Sequence, residues 1–144
     1  MTGTVTANLE RTERSGEGIR VQFDRAGNVW VAEIGHVRMY LENENGEKNA
    51  AQAVMAEQVC ESLSTIQAKA SAYLDLFVDR AKACGNSDEP WWLDEIIFRG
   101  PDPHGQVTYS LFFDLQGDDG GLWIVDVLPK YGEHRPIRFE RRQG

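Results

Sequence analysis

The sequence has no long apolar run. Nowhere do its hydrophobic residues approach the roughly 18 consecutive positions of a membrane-spanning helix. It has two cysteines, Cys60 and Cys84. On one continuous helix they would stand about 36 Å apart, beyond disulfide reach, so they read as small hydrophobes of a reducing compartment. The three histidines, His36, His104 and His134, share no zinc-type spacing with each other or with a cysteine. Gly-x-Ser-x-Gly is missing, which removes the nucleophile elbow. The one glycine-rich run, Gly117-Asp118-Asp119-Gly120-Gly121, carries two carboxylates that oppose a phosphate. The order Asp114, Gln116, Asp118 begins like a calcium loop, but Asp119 stands where that loop needs glycine and Val125 where it needs glutamate. No metal, no cofactor and no catalytic set is expected. An excess of base is missing too, and a net charge of −8 disfavours nucleic acid as a partner.

What is present fits one α+β domain over residues 1–144. The chain is 41% hydrophobic and 10% aromatic, and a chain of this length buries about two-thirds of its surface on folding. Acids and bases cancel over residues 1–41, whereas residues 42–126 carry a net −11 and residues 127–144 a net +3. Met1 to Gly16 has Thr, Glu and Arg where a secretory leader needs an apolar core, so a cytoplasmic location is expected.

Periodicity divides the chain in three. Val5, Ala7 and Leu9 alternate with polar residues, as do Ile19, Val21 and Phe23, and Trp30, Ala32 and Ile34. Period two predicts a three- or four-stranded antiparallel meander over residues 3–42. Between residues 48 and 84 the spacing becomes helical: Met55, Val59, Leu63, Ile66, Ala70, Tyr73, Phe77, Ala81 and Cys84 form one stripe. One helix there would be about 55 Å long, more than a compact domain spans. A capping box at Ser64-Thr65-Ile66-Gln67 favours two helices, 48–62 and 65–84, with Gly85-Asn86 as the stop, although one helix stays open because the stripe crosses the break in phase. Strands return over 93–99, 107–115, 122–128 and 136–141, giving a second antiparallel meander within residues 93–141. The expectation is a curved antiparallel sheet packed on the helices, its last strand paired with the first meander.

Candidate functional residues come from charge and aromatics. Glu42, Glu44 and Glu47 fall in one loop, and Asp118 and Asp119 in another. Acidic surfaces of this kind cover basic sites and speed association, or simply keep a protein soluble. Trp91 and Trp92 are adjacent, so on a strand they face opposite sides. One of them belongs at a groove rim, unless both are buried at a helix–strand corner. His104 beside Asp102 has the makings of a general base, against the plainer reading of a solvated turn histidine.

The run Leu93-Asp94-Glu95-Ile96-Ile97-Phe98, then Val107 to Asp114, then Gly121-Leu122-Trp123-Ile124-Val125-Asp126-Val127, preceded by helices, resembles small uncharacterised bacterial α+β domains of the immunity-protein type. The likeness covers residues 20–128. It implies a protein partner rather than a substrate and carries over no site residue. The leading expectation is therefore a non-enzymatic acidic protein-interaction domain, an inhibitor or immunity protein in its sharpest form, binding a basic partner. The alternative is a small-molecule-binding or enzymatic domain with a pocket between sheet and helices, lined by Trp91, Trp92 and Tyr109. A deep pocket holding His36 or His104 against a carboxylate would favour that alternative; a filled core and a flat acidic face would favour the first. Self-association through an edge strand within 126–141 is a third possibility.

Overall fold

The computed structural model describes residues 12–15, 18–85, 88, 90–118 and 121–143. The strand expected around Val5 to Leu9 lies outside them. A hairpin of β1 (Thr12–Ser15) and β2 (Gly18–Val21) stands apart from the main sheet. Next come β3 (Asp24–Ala26), β4 (Val29–Ile34), β5 (Val37–Glu44) and the short β6 (Glu47–Lys48). Three helices follow among the described residues: α1 (Ala50–Glu61), α2 (Leu63–Phe77) and α3 (Arg80–Cys84). The chain closes with β7 (Trp91–Arg99), β8 (Thr108–Leu115), β9 (Gly121–Lys130) and β10 (Glu133–Gln143). This is an α+β architecture built on one mostly antiparallel sheet.

Turn chemistry sets the hairpins. Asn45 and Gly46 both have positive φ, 54° and 86°, which matches the right-handed strand twist and folds β6 back on β5. Tyr131 and Gly132, at 53° and 76°, do the same between β9 and β10. The sequence pointed instead to a loop from Pro129 to Pro136. Pro129 lies inside β9 opposite His134, beyond the last β8 pair at Tyr109–Val127, so its missing amide leaves no β8 bond unmade.

The sheet order is β10-β9-β8-β7-β5-β4-β3, with β6 attached to β5. The two meanders join through one parallel pair, Arg38–Glu95, Met39–Ile96 and Tyr40–Ile97, and the helices form the crossover between them. The last strand does not pair with the first meander: β10 and β3 occupy opposite edges. The strands richest in buried residues pair at the centre and exclude it. Val37, Met39 and Leu41 of β5, Leu93, Ile96 and Phe98 of β7, and Tyr109, Leu111 and Phe113 of β8 are all no more than 3% exposed.

Those side chains meet Ala56, Val59, Ile66, Ala70 and Leu74 of the helices in one core. Asn49 caps α1 by accepting from the Gln52 amide at 3.0 Å. The helical run breaks at Ser62, two residues before the capping box, and Ser62 makes no side-chain cap. A second break falls at Val78, which is extended, and Asp79 caps α3 through the amides of Ala81 and Lys82. The apolar stripe therefore loses the core at Phe77, which is 60% exposed, and meets it again at Cys84. Gly85 ends α3 in the left-handed region, as its type predicts.

Candidate functional site

The helices cover one face of the sheet, and the other carries the chemistry. On it, alternation places Glu33 of β4, Arg38 and Tyr40 of β5, Trp92 and Glu95 of β7, Phe112 and Asp114 of β8, and Leu122 of β9. Near the starts of β5 and β7 these side chains bound a cleft of about 660 Å³, lined by Glu33, His36, Arg38, Asp94, Glu95, Phe112, Asp114 and Leu122 among others. Phe112 is 8% exposed and forms apolar floor. The His36 and Trp92 rings stack beside the cleft, centroids 4.1 Å apart and 22° from parallel.

Asp94 is the singular residue. It is the extra residue of a β-bulge, since Leu93 pairs with Phe113 and Glu95 with Phe112. A bulge re-aims a side chain and recurs beside functional sites. Here it sets the Asp94 carboxyl against that of Asp114, with which it shares a hydrogen bond. Burial first, then the bond and charge of Asp114, then the charge of Glu95, push Asp94 up to about 7, and a hydrogen bond with Trp92 works the other way. The neighbouring carboxyl thus favours the protonated form of Asp94. The rest of the cleft is charged but paired: Arg38 Nε lies 3.8 Å from Glu33 Oε2, and Tyr40 donates to Glu95 Oε2 at 3.1 Å.

The structure separates the residues that the sequence grouped. Trp92 is 49% exposed beside the cleft, whereas Trp91 is buried and donates its indole N–H to Asp75 at 2.9 Å. Glu42, Glu44 and Glu47 are not in one loop: Glu42 and Glu44 end β5, about 25 Å from His36 at the strand rise, and Glu47 lies on the paired β6. Two of them are engaged internally. Glu42 Oε1 accepts from Gln52 Nε2 at 2.5 Å, and Glu44 Oε2 accepts from Asn49 Nδ2 at 3.2 Å. Asp118 is likewise committed, with its side chain 8% exposed. It accepts from Trp123 Nε1 at 2.6 Å and from Arg141 at 2.7 Å, and the guanidinium holds its carboxyl below the usual range. Asp119 lies outside the described residues. Glu47 remains on the surface, opposite Glu44.

The histidines divide similarly. His104 lies in an exposed turn, where Asp102 accepts backbone N–H bonds from His104 and Gln106. His134 Nδ1 lies 2.7 Å from Tyr109 Oη, which gives the buried phenol a polar partner. Burial and the charge of Lys69 lower the His134 pKa. Trp91 and Tyr109, two of the residues expected to line a pocket between sheet and helices, are packed in the core.

Among the described residues, no three His, Cys, Asp or Glu side chains are disposed to hold a metal ion. No described helix is long and apolar enough to cross a membrane. No protein-family model, curated protein or solved structure matches the chain. What the fold and its open face define is an α+β domain with an acidic, aromatic-flanked cleft.

Proposed function

We propose that this protein is a non-enzymatic, acidic interaction domain that binds a basic protein partner, an inhibitor or immunity protein in its sharpest form, and that the cleft receives a cationic side chain of that partner. One observation carries the reading: four carboxyl groups, on Glu33, Asp94, Glu95 and Asp114, surround an apolar floor and face a single guanidinium, that of Arg38. A lysine or arginine entering there finds carboxylates to pair with and the exposed Trp92 to lie against. The cation would displace the proton of Asp94, so binding would release a proton near neutral pH.

A second reading has its own observation. His36 stands in the cleft with Asp94 and Asp114, the constellation expected of an enzymatic or small-molecule site, although on the opposite face from the one expected. A carboxyl raised to about 7, as that of Asp94 is, has the properties of a general acid or base.

The discriminating experiment is affinity capture from the native lysate at low and moderate salt, with the wild type and with an Asp94→Asn, Asp114→Asn double variant. A stoichiometric basic partner that is lost as salt rises, and lost in the variant, is the expected result. A partner retained by the variant would move the interface away from the cleft. Recovery of the protein alone would favour the second reading.

A further inference from the structure

The β9–β10 hairpin outruns the rest of the sheet. The last β8–β9 pair is Tyr109–Val127, and no described strand lies on the outer side of β10, so residues 128–136 form a tip held in the sheet by its own ladder. That ladder is weak. Neither Pro129 nor Pro136 has an amide to give, and the register shifts just past Pro136. Tyr131 turns the tip at φ 53°, in the left-handed region that favours glycine, and is 88% exposed. Segments with few buried contacts and an exposed backbone are the first to open.

Among the described residues, one side-chain hydrogen bond ties this tip to the rest of the fold: His134 Nδ1 lies 2.7 Å from Tyr109 Oη. Burial fixes its direction. Tyr109 is fully buried in the core, and desolvation raises its phenol well above the ordinary range, so it keeps its proton. Oη has no other polar partner among the described residues, so the phenol donates to His134. Nδ1 is then a bare acceptor, and the ring is neutral with its hydrogen on Nε2. A proton arriving from solvent at Nδ1 removes the acceptor and strands the phenol hydrogen in the core.

The charges around the ring oppose that proton or are spent on each other. Burial disfavours it, and Lys69 of α2 repels it. Glu133 and Arg135, on either side of His134 in β10, alternate to the open face and pair with each other at 3.5 Å. Lys130 of β9 stands over the Tyr131 ring, 5.4 Å from its centroid. An imidazolium is better accommodated in water than in this place, and reaching water means lifting the tip.

We propose that the β9–β10 tip is an acid-released latch: neutral His134 fastens residues 128–136 to Tyr109, and protonated His134 lets them go. The closed and open states differ by one proton on His134, so acid favours the open one. The latch lies on the helix face, away from the acidic cleft, and its test does not depend on the cleft's role.

NMR of the full chain tests it. The His134 ring should titrate below 6.5, the ordinary histidine value. After correction for intrinsic rates, the amides of residues 130–135 should lose protection at least about tenfold from about pH 7.5 to about pH 5, while those of Leu111 and Val125 stay protected. His134→Gln, whose side-chain carbonyl accepts from the phenol at any pH, should keep the tip closed throughout. Lys69→Gln, at an exposed helical position, should raise the His134 midpoint and carry the loss of protection to higher pH with it. That variant alone decides the matter if His134→Gln unfolds. A His134 midpoint at or above 6.5 overturns the proposal. So does a tip indifferent to pH, one that still opens in acid with His134→Gln, or one whose opening stays in place when Lys69→Gln moves the midpoint.

Discussion

The raised Asp94 carboxyl makes stability depend on pH in an unusual direction, and Asp94→Asn should reveal it. In the unfolded chain Asp94 titrates near 3.8, and in the folded protein near 7. Between those values the folded state keeps a proton that the unfolded chain has released. Stability therefore falls as pH rises from about 4 to about 7 and is level beyond. At face value the displacement corresponds to about 4 kcal/mol. Asp94 is only partly buried beside an exposed tryptophan, so solvent screening reduces the expected cost to about 1–2 kcal/mol. Asp94→Asn removes the cost. It should raise the melting temperature at pH 8 by about 3–6 °C and leave it nearly unchanged at pH 4. Asp114→Asn should bring the Asp94 midpoint down without returning it to 3.8, because burial, the largest cause, remains. Carboxyl-carbon NMR of Asp94 across pH 3–9 reads the midpoint directly. A wild-type midpoint below about 5, or an equal gain in melting temperature at both pH values, would refute the reasoning.

Two further predictions concern residues that hold the sheet's ends. Gln52 is fully buried and ties α1 to two strands: its carbonyl accepts from the Glu42 amide at 2.9 Å, and its amide donates to the Gly100 carbonyl at 2.7 Å. Gln52→Leu strands both backbone groups and should cost about 2–4 kcal/mol, read as a lower urea midpoint at unchanged slope; a loss under about 1 kcal/mol would show that water replaces the amide. Asp118→Ala removes the partner of Trp123 and Arg141 and should cost about 1–2 kcal/mol at pH 7. Since the Asp118 pKa is lowered by folding, that contribution is present above the ordinary carboxylate range and lost as pH falls through it. Wild-type and variant melting temperatures should thus converge as pH falls below the ordinary carboxylate range, and a gap that persists in acid would refute the assignment.

Periodicity carried the element types well, because each period reports which face an isolated element buries. Helical spacing over 48–84 and alternation over 93–141 both correspond to observed elements. Pairing is a different matter. Nothing local distinguishes the β5–β7 contact, since a parallel pair reports only that both strands are apolar on one face and need a long connection. The turn at Tyr131-Gly132 escaped notice because a tyrosine rarely takes positive φ, and the two prolines around it read as strand ends. The break after Phe77 was hidden by a stripe that continues in phase to Cys84, although Asp79 ahead of Arg80 is a capping signal of the ordinary kind.

The functional site was obscured by where acids are usually sought. A net −11 over residues 42–126 drew attention to loops, where carboxylates are most numerous. The fold occupies several acids of that stretch with internal work: Glu42 and Glu44 of β5 hold the start of α1, Asp75 of α2 holds Trp91, and Asp118 holds Trp123 and Arg141. Carboxylates engaged in this way offer a partner fewer lone pairs and little uncompensated charge. The acids that face the cleft come from strands or their bulge instead: Glu33, Asp94, Glu95 and Asp114. An acid within an apolar strand has two stable placements, an ion pair or the uncovered face of the sheet. That test points to the strand acids Asp94 and Asp114, and equally to Asp126, which takes the ion-pair placement with Arg138. The bulge at Asp94, which turns two dispersed acids into one hydrogen-bonded pair, has no signature in the residues themselves, because it depends on the register against β8.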